Sequence, residues 1–181
     1  MTDDAKIERL AQAARAIGRS ESVRAQWSGI SGLADAIFGY SLLTGLVFLK
    51  EQRVMRRIFS SDESISPPGG FKATGKGPWS VQVLDEGRAY IGSDEADIRK
   101  VFSEAELLIG RGLHSVLNLP VWGAGAVVGS LNLLSRRHAY DQADGRMIEL
   151  VAGICAPVFM LARDAERGAA TGIDVSGLDS V

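Results

Sequence analysis

One stretch of the sequence has nearly the residue types and spacing of a phosphate-binding loop. Segment 70–77 reads GFKATGKG, and glycine-rich loops of this kind hold phosphate groups with backbone N–H donors and a lysine. The Ser or Thr that would bind Mg²⁺ after Lys76 is absent, and Pro78 stands where the helix would begin. We therefore interpret the segment as a surface lid whose lysines face water. The alternative is that Lys72 contacts an anionic ligand.

The histidines and the cysteine offer few other routes to chemistry. His114 is expected to be an ordinary hydrogen-bonded histidine, with contact to a ligand, a metal or haem as the lesser alternatives, and His138 is expected to be exposed in a polar link. The acidic pairs have the spacing of helix caps, and no HExxH, CxxC or GxSxG motif occurs. The sequence thus contains no grouping on which metal or hydrolytic catalysis would rest, and we expect no cofactor.

Composition predicts an ordinary globular protein. The chain has 181 residues and a net charge of −2, with lysine and arginine scattered, so no basic patch points to nucleic acid. Cys155 is the only cysteine and cannot form an internal disulfide, which is typical of a reducing compartment. The acidic N-terminus lacks a signal-peptide core, and the apolar run 42–49 is too short to span a bilayer. These features favour a cytoplasmic protein with no membrane contact.

The elements that must position any site are organised around residues 113–134. Two apolar runs of similar length flank Trp122-Gly123-Ala124-Gly125, which supplies the positive-φ positions of a hairpin turn. Both faces of these strands carry apolar groups, so a layer must cover each face. His114, Val116, Asn118 and Pro120 fall on one face, and Leu113, Ser115, Leu117, Leu119 and Val121 on the other.

Two helices and a second hairpin are predicted before this centre. Apolar spacing predicts a helix from a cap at Asp3 or Asp4 to about residue 17, and a second helix after Ser20. The apolar side of the second helix comprises Val23, Trp27, Ile30, Leu33 and Ile37. Segments 41–50 and 53–61 read as the two strands of the hairpin.

The remaining segments are shorter, apart from a long final helix. Residues 62–78 are predicted to form a loop, 79–86 a helix, 88–92 a strand, and 94–102 and 103–110 two helical turns, the second capped by Ser103. The final helix is predicted to start at Asp141, to be kinked by Pro157, and to be followed after Asp164 by a flexible tail. Its predicted buried residues are Met147, Leu150, Val151, Ile154, Val158 and Leu161.

Residues 35–162 resemble a GAF domain. The resemblance lies in segment 115–158, with Asn-x-Pro in a strand, a glycine turn, Val-Gly in the next strand and a Tyr-x-x-x-Asp helix start. Further likeness lies in RIFSSD, PPGGFK, DIRKVF and LHSVLNLPV. The resemblance implies an α+β fold: a six-stranded antiparallel sheet with terminal helices on one face, and loops and short helices forming a pocket on the other.

Three activities found among GAF domains are disfavoured by this sequence. Of the cyclic-nucleotide signature, Asn132, Tyr140 and Asp144 match, but Leu133 replaces the lysine and Gly145 the glutamate. The single Cys155 cannot both attack and resolve a sulfoxide, as the methionine sulfoxide reductases of the family require. It also lies on the wrong element for attachment of a bilin.

A pocket on the second sheet face is the remaining functional prediction. The candidate ligand-binding residues are Lys72, Trp79, Arg99, Phe102, His114, Ser115 and Asn118, of which Arg99 is the predicted clamp for a carboxylate or phosphate. Ser115 and Asn118 lie on opposite strand faces and cannot both reach the pocket, and Asn118 could instead hold backbone at the strand end.

Together these observations predict a non-catalytic sensor. We expect an N-terminal helical extension over 1–34, a GAF domain over 35–164 and a flexible tail over 165–181. The sensor is expected to bind a small molecule, with an anion as one candidate. It is also expected to dimerise through its terminal helices and to signal through a separate protein. The alternatives are an interaction module with a filled core and, last, an enzyme of unknown type.

Overall fold

A computed structural model describes residues 2–168 and Leu178, and shows one six-stranded sheet. Its strands are β1 (Leu42–Leu49), β2 (Val54–Ser60), β3 (Gly69–Ala73), β4 (Tyr90–Gly92), β5 (Ser115–Gly123) and β6 (Ala126–Ser135). Their order across the sheet is β3-β2-β1-β6-β5-β4, and every neighbouring pair is antiparallel. The predicted six-stranded antiparallel sheet of an α+β fold is confirmed.

The predicted central hairpin is confirmed as β5 and β6. The turn is made by Ala124 (φ 52°) and Gly125 (φ 79°), two successive left-handed residues of the kind that match the twist of paired strands. On its other side β6 pairs with β1, so the apolar runs of the sequence form the middle of the sheet.

Three helices pack on one face of the sheet, which we call the back face. They are α1 (Asp3–Arg19), α2 (Val23–Phe38) and α6 (Gly145–Glu166). Trp27 of α2 stacks on Phe59 with ring centroids 4.4 Å apart, and meets Phe159 of α6 edge-on at 5.6 Å. A Cβ at Gly45 would lie 2.3 Å from the Trp27 ring, so the indole occupies space that only glycine leaves free. The largest core cluster is therefore on the back face.

Short helices and a loop cover the opposite face, which we call the front face. The helical segments are α3 (Pro78–Ser80), which continues as a π-helical turn (Val81–Asp85), α4 (Glu95–Val101) and α5 (Ala105–Gly110). Two smaller apolar clusters lie beneath them, one around Trp79 and one around Ile98. The front layer is thus built from short pieces, whereas the back layer consists of long helices.

The predicted loop 62–78 is wrong in its second half, because β3 lies within it. Its residues pair with β2, and Lys72 lies opposite Met55. Two glycines with positive φ, Gly69 and Gly70, begin this strand, and glycine weakens a strand pattern in the sequence. Part of the glycine-rich segment 70–77, which is similar to a phosphate-binding loop, is therefore an edge strand.

Three predicted helix starts are also wrong. Thr2, not Asp3 or Asp4, caps α1 by accepting a bond from Ala5 N. Glu104, not Ser103, is the cap residue of α5 and makes no side-chain cap bond. Asp144, not Asp141, caps α6, so the helix begins at Gly145.

The buried stripe of α6 differs from the prediction. Leu150 and Leu161 are 48% and 65% exposed. The small side chains of Ala152 and Cys155 are buried instead, because they let the helix approach the sheet, and hydrophobicity alone ranks them below leucine. Val23 of α2, likewise predicted to be buried, is 66% exposed.

Helix α6 is also the one described helix that is long and apolar enough to cross a membrane. The core helices of soluble proteins pass the same test, and the buried side of α6 contacts the sheet. The helix extends to Glu166, so the first two residues of the predicted tail are helical, and residues 169–177 and 179–181 of that tail lie outside the described residues.

Candidate ligand-binding site on the front face

Strand register places a row of polar side chains across the middle of the front face. Thr44 of β1 lies opposite Ser60 of β2 and Asn132 of β6, and Asn132 lies opposite Asn118 of β5. Side chains at directly opposed positions share a face, so one polar residue on each strand suffices to build the row. All four are buried.

The row is connected to the front layer by hydrogen bonds. Trp79 donates from Nε1 to Asn118 Oδ1 at 3.0 Å, and Asn118 donates from Nδ2 to Asn132 Oδ1 at 2.7 Å. Asn132 Oδ1 also accepts a bond from Ser130 Oγ. Asn118 therefore holds the Trp79 indole rather than the backbone of a strand end.

A small cavity lies between this row and the front layer. Its volume is about 20 Å³, which is room for about one water molecule. Its lining is mixed apolar and polar and comprises Leu42, Thr44, Leu46, Arg57, Ser66, Lys72, Trp79, Phe102, Glu104, Leu108, Asn132 and Leu134.

Three charged side chains form one wall of the cavity. Lys72 Nζ lies 2.7 and 2.8 Å from the two carboxylate oxygens of Glu104, and Arg57 Nη2 lies 3.5 Å from Glu104 Oε1. Arg57 Nη1 donates to the carbonyl of Pro67, while its buried Nε has no partner among the described residues. The side chains of Arg57, Lys72 and Glu104 are only 13%, 22% and 24% exposed.

This wall carries two cationic groups and one carboxylate. Burial alone would raise the pKa of Glu104, but the bonds and charge of Lys72 outweigh it, so the pKa lies below its usual value. Burial lowers the pKa of Arg57, and the charge of Glu104 opposes that change. The charged state of each of the three groups therefore depends on the other two, and the wall carries one more positive charge than negative charge.

The structure brings some of the predicted site residues together at this cavity. Lys72, Trp79 and Phe102 line it, and Asn118 stands directly behind Trp79. These residues come from β3, α3, the end of α4 and β5. Asn118 and Ser115 therefore lie on opposite faces of β5, as strand alternation predicts.

Three other predicted residues lie elsewhere. Arg99 is 52% exposed on α4 and pairs with Glu106 at 2.7 Å, because Ile98 and Val101 take the buried side of this seven-residue helix. Ser115 Oγ donates to the carbonyl of Arg136 at 2.7 Å. His114 Nδ1 is 2.8 Å from Glu95 Oε1 but outside hydrogen-bonding geometry.

The sequence did not identify Arg57 and Glu104 as residues that line the cavity. A signal for Arg57 existed, because Met55 and Arg57 alternate on one face of a strand that was recognised. Glu104 had no such signal, since it lies between two short helices whose orientation depends on tertiary packing.

Two larger grooves lie outside the front face. One, of about 460 Å³, is lined by Trp122 and the N-terminal half of α6; the other, of about 380 Å³, lies between α2, β2 and α6 and includes Val23 and Leu161. Neither contains a cluster of buried polar side chains comparable to that of the front cavity.

The described residues show no arrangement of catalytic groups. In the one Ser–His–Asp group we find, Asp141 accepts from Ser93 Oγ at 2.7 Å and lies 2.8 Å from His138 Nδ1. The carboxylate thus lies between the serine and the histidine. A nucleophilic serine needs a hydrogen bond to the histidine, and Ser93 bonds the carboxylate instead. Cys155 is fully buried, and burial raises the pKa of its thiol to about 12, which disfavours the reactive thiolate.

Comparisons with known proteins point to one family. A family model described as GAF domain matches residues 28–159. No curated protein matches the sequence significantly. The GAF domain of a two-component sensor histidine kinase from Bacillus halodurans has a TM-score of 0.61 at 15% identity, over 82% of this chain and 100% of that one.

Two further solved structures are similar at the level of fold. The GAF domain of an Acinetobacter phosphoenolpyruvate-protein phosphotransferase has a TM-score of 0.65 at 14% identity, over 91% of this chain and 98% of that one. A free methionine-R-sulfoxide reductase from Neisseria meningitidis, in complex with its substrate, has a TM-score of 0.61 at 15% identity, over 91% and 95%. At such identities the likeness shows the fold alone.

Proposed function

The chain belongs to the GAF domain family, and from that premise we propose that it is a non-catalytic sensor that binds a small molecule at the front-face cavity. GAF domains are in general regulatory or sensor domains of signalling proteins, and solved structures of similar fold include parts of a sensor histidine kinase and a methyl-accepting chemotaxis protein. The signal of this chain would pass to a separate partner protein, and the site of action would be the cytoplasm.

The observation that carries the proposal is the polar lining of the cavity. Thr44 and Asn132 are each 4% exposed, and three charged side chains line the same cavity. Buried polar and charged groups contribute less to stability than apolar packing does. A few convergent polar groups in an otherwise apolar hollow are typical of ligand sites.

The cavity as it stands has room for about one water molecule, so a metabolite requires the front layer to move. That layer consists of helices of three to seven residues and a loop, whereas the back face is held by α1, α2 and α6. Binding would therefore convert a closed front layer into an open one.

A thermal-shift screen tests this proposal. Amino acids, carboxylic acids, sugar phosphates and nucleotides are each added to the purified protein. A ligand at 100 times its Kd stabilises by about 2.7 kcal/mol, which for a chain of this size corresponds to roughly 5–10 °C in Tm. Stabilisation by one chemical class supports the proposal, and no shift with any class contradicts it.

Two variants locate the binding. Ser66→Phe places a ring in the cavity from a wall residue that is 4% exposed, whereas Ser64→Phe changes an exposed residue of the same loop. We expect the first to abolish the ligand-dependent shift and the second to retain it, with circular dichroism confirming that both fold. Equal shifts in both variants would place the ligand elsewhere.

A second candidate function is favoured by the small volume of the cavity. A front face closed by its own side chains is what an interaction module without a ligand would have. Such a module would show no compound-dependent change in Tm. The same screen therefore separates the two functions.

We also propose that the protein is a homodimer through its terminal helices. Ile7 of α1, Val23 of α2 and Leu161 of α6 are each more than 60% exposed. Exposed apolar side chains grouped on one side of a molecule are typical of an interface.

A further inference from the structure

The carboxylate of Glu104 lies against both cations of the front cavity. It makes two short contacts with Lys72 Nζ, at 2.7 and 2.8 Å, and a longer one with Arg57 at 3.5 Å. The cations come from the sheet, on β2 and β3, whereas Glu104 comes from the short link between α4 and α5. The two cations therefore belong to the sheet, and the carboxylate belongs to the front layer that covers it.

Glu104 has no second structural role that would hold it in place. It is the cap residue of α5, but its side chain bonds no backbone N–H of that helix. Its further bonds are local, from the hydroxyl of the preceding Ser103 and from the backbone N–H of Glu104 itself. Removal of the carboxylate from the wall would therefore break its bonds to the two cations and these two local bonds.

Arg57, by contrast, is incompletely satisfied. Arg57 Nε is buried without a partner among the described residues, and its Nη2 is the atom with the long contact to Glu104. Adjacent Nε and Nη2 donors form the fork with which arginine binds carboxylate or phosphate through two parallel bonds. A single carboxylate on a short side chain does not fill this fork, while a free anion could orient itself to do so.

We propose that the ligand of this cavity is a small anion with a carboxylate or phosphate group, which binds Lys72 and Arg57 in place of Glu104. This inference depends on the proposed sensor function. Displaced Glu104 would leave the wall together with the link 102–104. Phe102 of this link and Leu108 of α5 also line the cavity. Exchange of one carboxylate for another anion would in this way open the cavity and reposition α4 and α5.

The variant Glu104→Gln tests the exchange directly, since it removes the competing charge and keeps the shape. Glu106→Gln is the matched control, because Glu106 is also on α5 and paired with an arginine, but is 76% exposed and away from the cavity. Inorganic phosphate and acetate serve as probes, with chloride at equal ionic strength as the reference. Affinities are obtained from titrations of Tm, each variant against its own ligand-free value.

We expect phosphate, acetate or both to bind Glu104→Gln at least about tenfold more tightly than the unmodified protein, an increase equivalent to about 1.4 kcal/mol. Glu106→Gln should match the unmodified protein, and the double variant Glu104→Gln with Lys72→Gln should lose the gain. The probe that gains more identifies the carboxylate or the phosphate class.

Equal affinities of the Glu104→Gln and Glu106→Gln variants for both probes would overturn the inference. If a neutral compound from the screen still stabilised the protein, and Ser66→Phe abolished that effect, the sensor function would stand without the exchange. If neither the anions nor any compound of the screen bound, both proposals would fall.

Discussion

At the scale of single residues, the important side chains are buried ones that carry a polar atom in need of a hydrogen-bond partner. Trp79 and Trp122 allow a direct comparison, because each indole makes one hydrogen bond from Nε1. Trp79 is 7% exposed and bonds Asn118, whereas Trp122 is 48% exposed and bonds the carbonyl of Gly87 at 3.4 Å. Only the first bond lies in the network of the candidate site.

We predict that Trp79→Phe lowers the free energy of unfolding by about 1–3 kcal/mol, because Asn118 Oδ1 loses its indole donor without access to water. Trp122→Phe should change it by no more than about 0.5 kcal/mol. Urea unfolding of both variants measures the difference. Equal effects would mean that the buried network does not stabilise the front layer.

A second prediction concerns Cys155. Because burial raises the pKa of its thiol to about 12 and shields it from solvent, the native protein should react with iodoacetamide at pH 8 orders of magnitude more slowly than the urea-unfolded protein. Mass spectrometry of timed samples measures both rates. Rapid labelling of the native protein would contradict the packing of α6 on the sheet.

Residue types indicated which side chains line the cavity better than they indicated where each side chain points. Lys72, Trp79 and Phe102 line the cavity, as the sequence predicted. Arg99 does not, since the direction of a side chain on a seven-residue helix is set by packing that periodicity over so few residues cannot reveal. Arg57 takes the predicted role of Arg99 as the arginine beside the cavity.

At the scale of elements, the predictions that succeeded used long patterns. The β5–β6 hairpin and the α1, α2 and α6 helices each have eight or more residues of regular spacing. Strand β3 was missed because its five residues include two glycines, and the start of α5 was missed because a charged residue follows the expected serine cap. The front layer, which contains the candidate site, is therefore the part least predictable from sequence.

Close packing of elements gives a third prediction, which compares two glycines. A Cβ at Gly129 of β6 would lie 2.4 Å from the carbonyl oxygen of Leu46 and 2.6 Å from Phe159, whereas one at Gly153 of α6 meets nothing within 4 Å. Gly129→Ala should destabilise by about 3 kcal/mol, and Gly153→Ala should stabilise by about 0.5–1 kcal/mol. Thermal unfolding of both variants measures this, and a neutral Gly129→Ala would contradict the β1–β6–α6 contact.

At the scale of the whole molecule, the sheet separates two kinds of surface. The back layer presents exposed apolar side chains on long helices, and the front layer encloses the charged wall of Arg57, Lys72 and Glu104. In the proposed sensor, the first surface pairs two copies and the second binds the ligand. Because α6, α4 and the π-helical turn all contact β5 or β6, a change in the front layer can reach α6 through these two strands.

The dimer is a prediction at this scale. Leu150→Glu combined with Leu161→Glu places two charges on the exposed side of α6 and should convert a dimer to a monomer in light scattering. Leu107→Glu is the control, since Leu107 is 49% exposed on α5 of the front layer. A monomeric unmodified protein at tens of micromolar, or a control that dissociates equally, would contradict an interface at the terminal helices.

The most direct test of the central claim, that the front cavity is a ligand site, follows the indole N–H signals of Trp27, Trp79 and Trp122 by nuclear magnetic resonance. A compound that raises Tm, or inorganic phosphate, is titrated into isotope-labelled protein. The account predicts that the Trp79 signal shifts saturably, because this indole lines the cavity and bonds Asn118, while the Trp122 signal stays fixed. A rise in Tm with an unmoved Trp79 signal would contradict the claim.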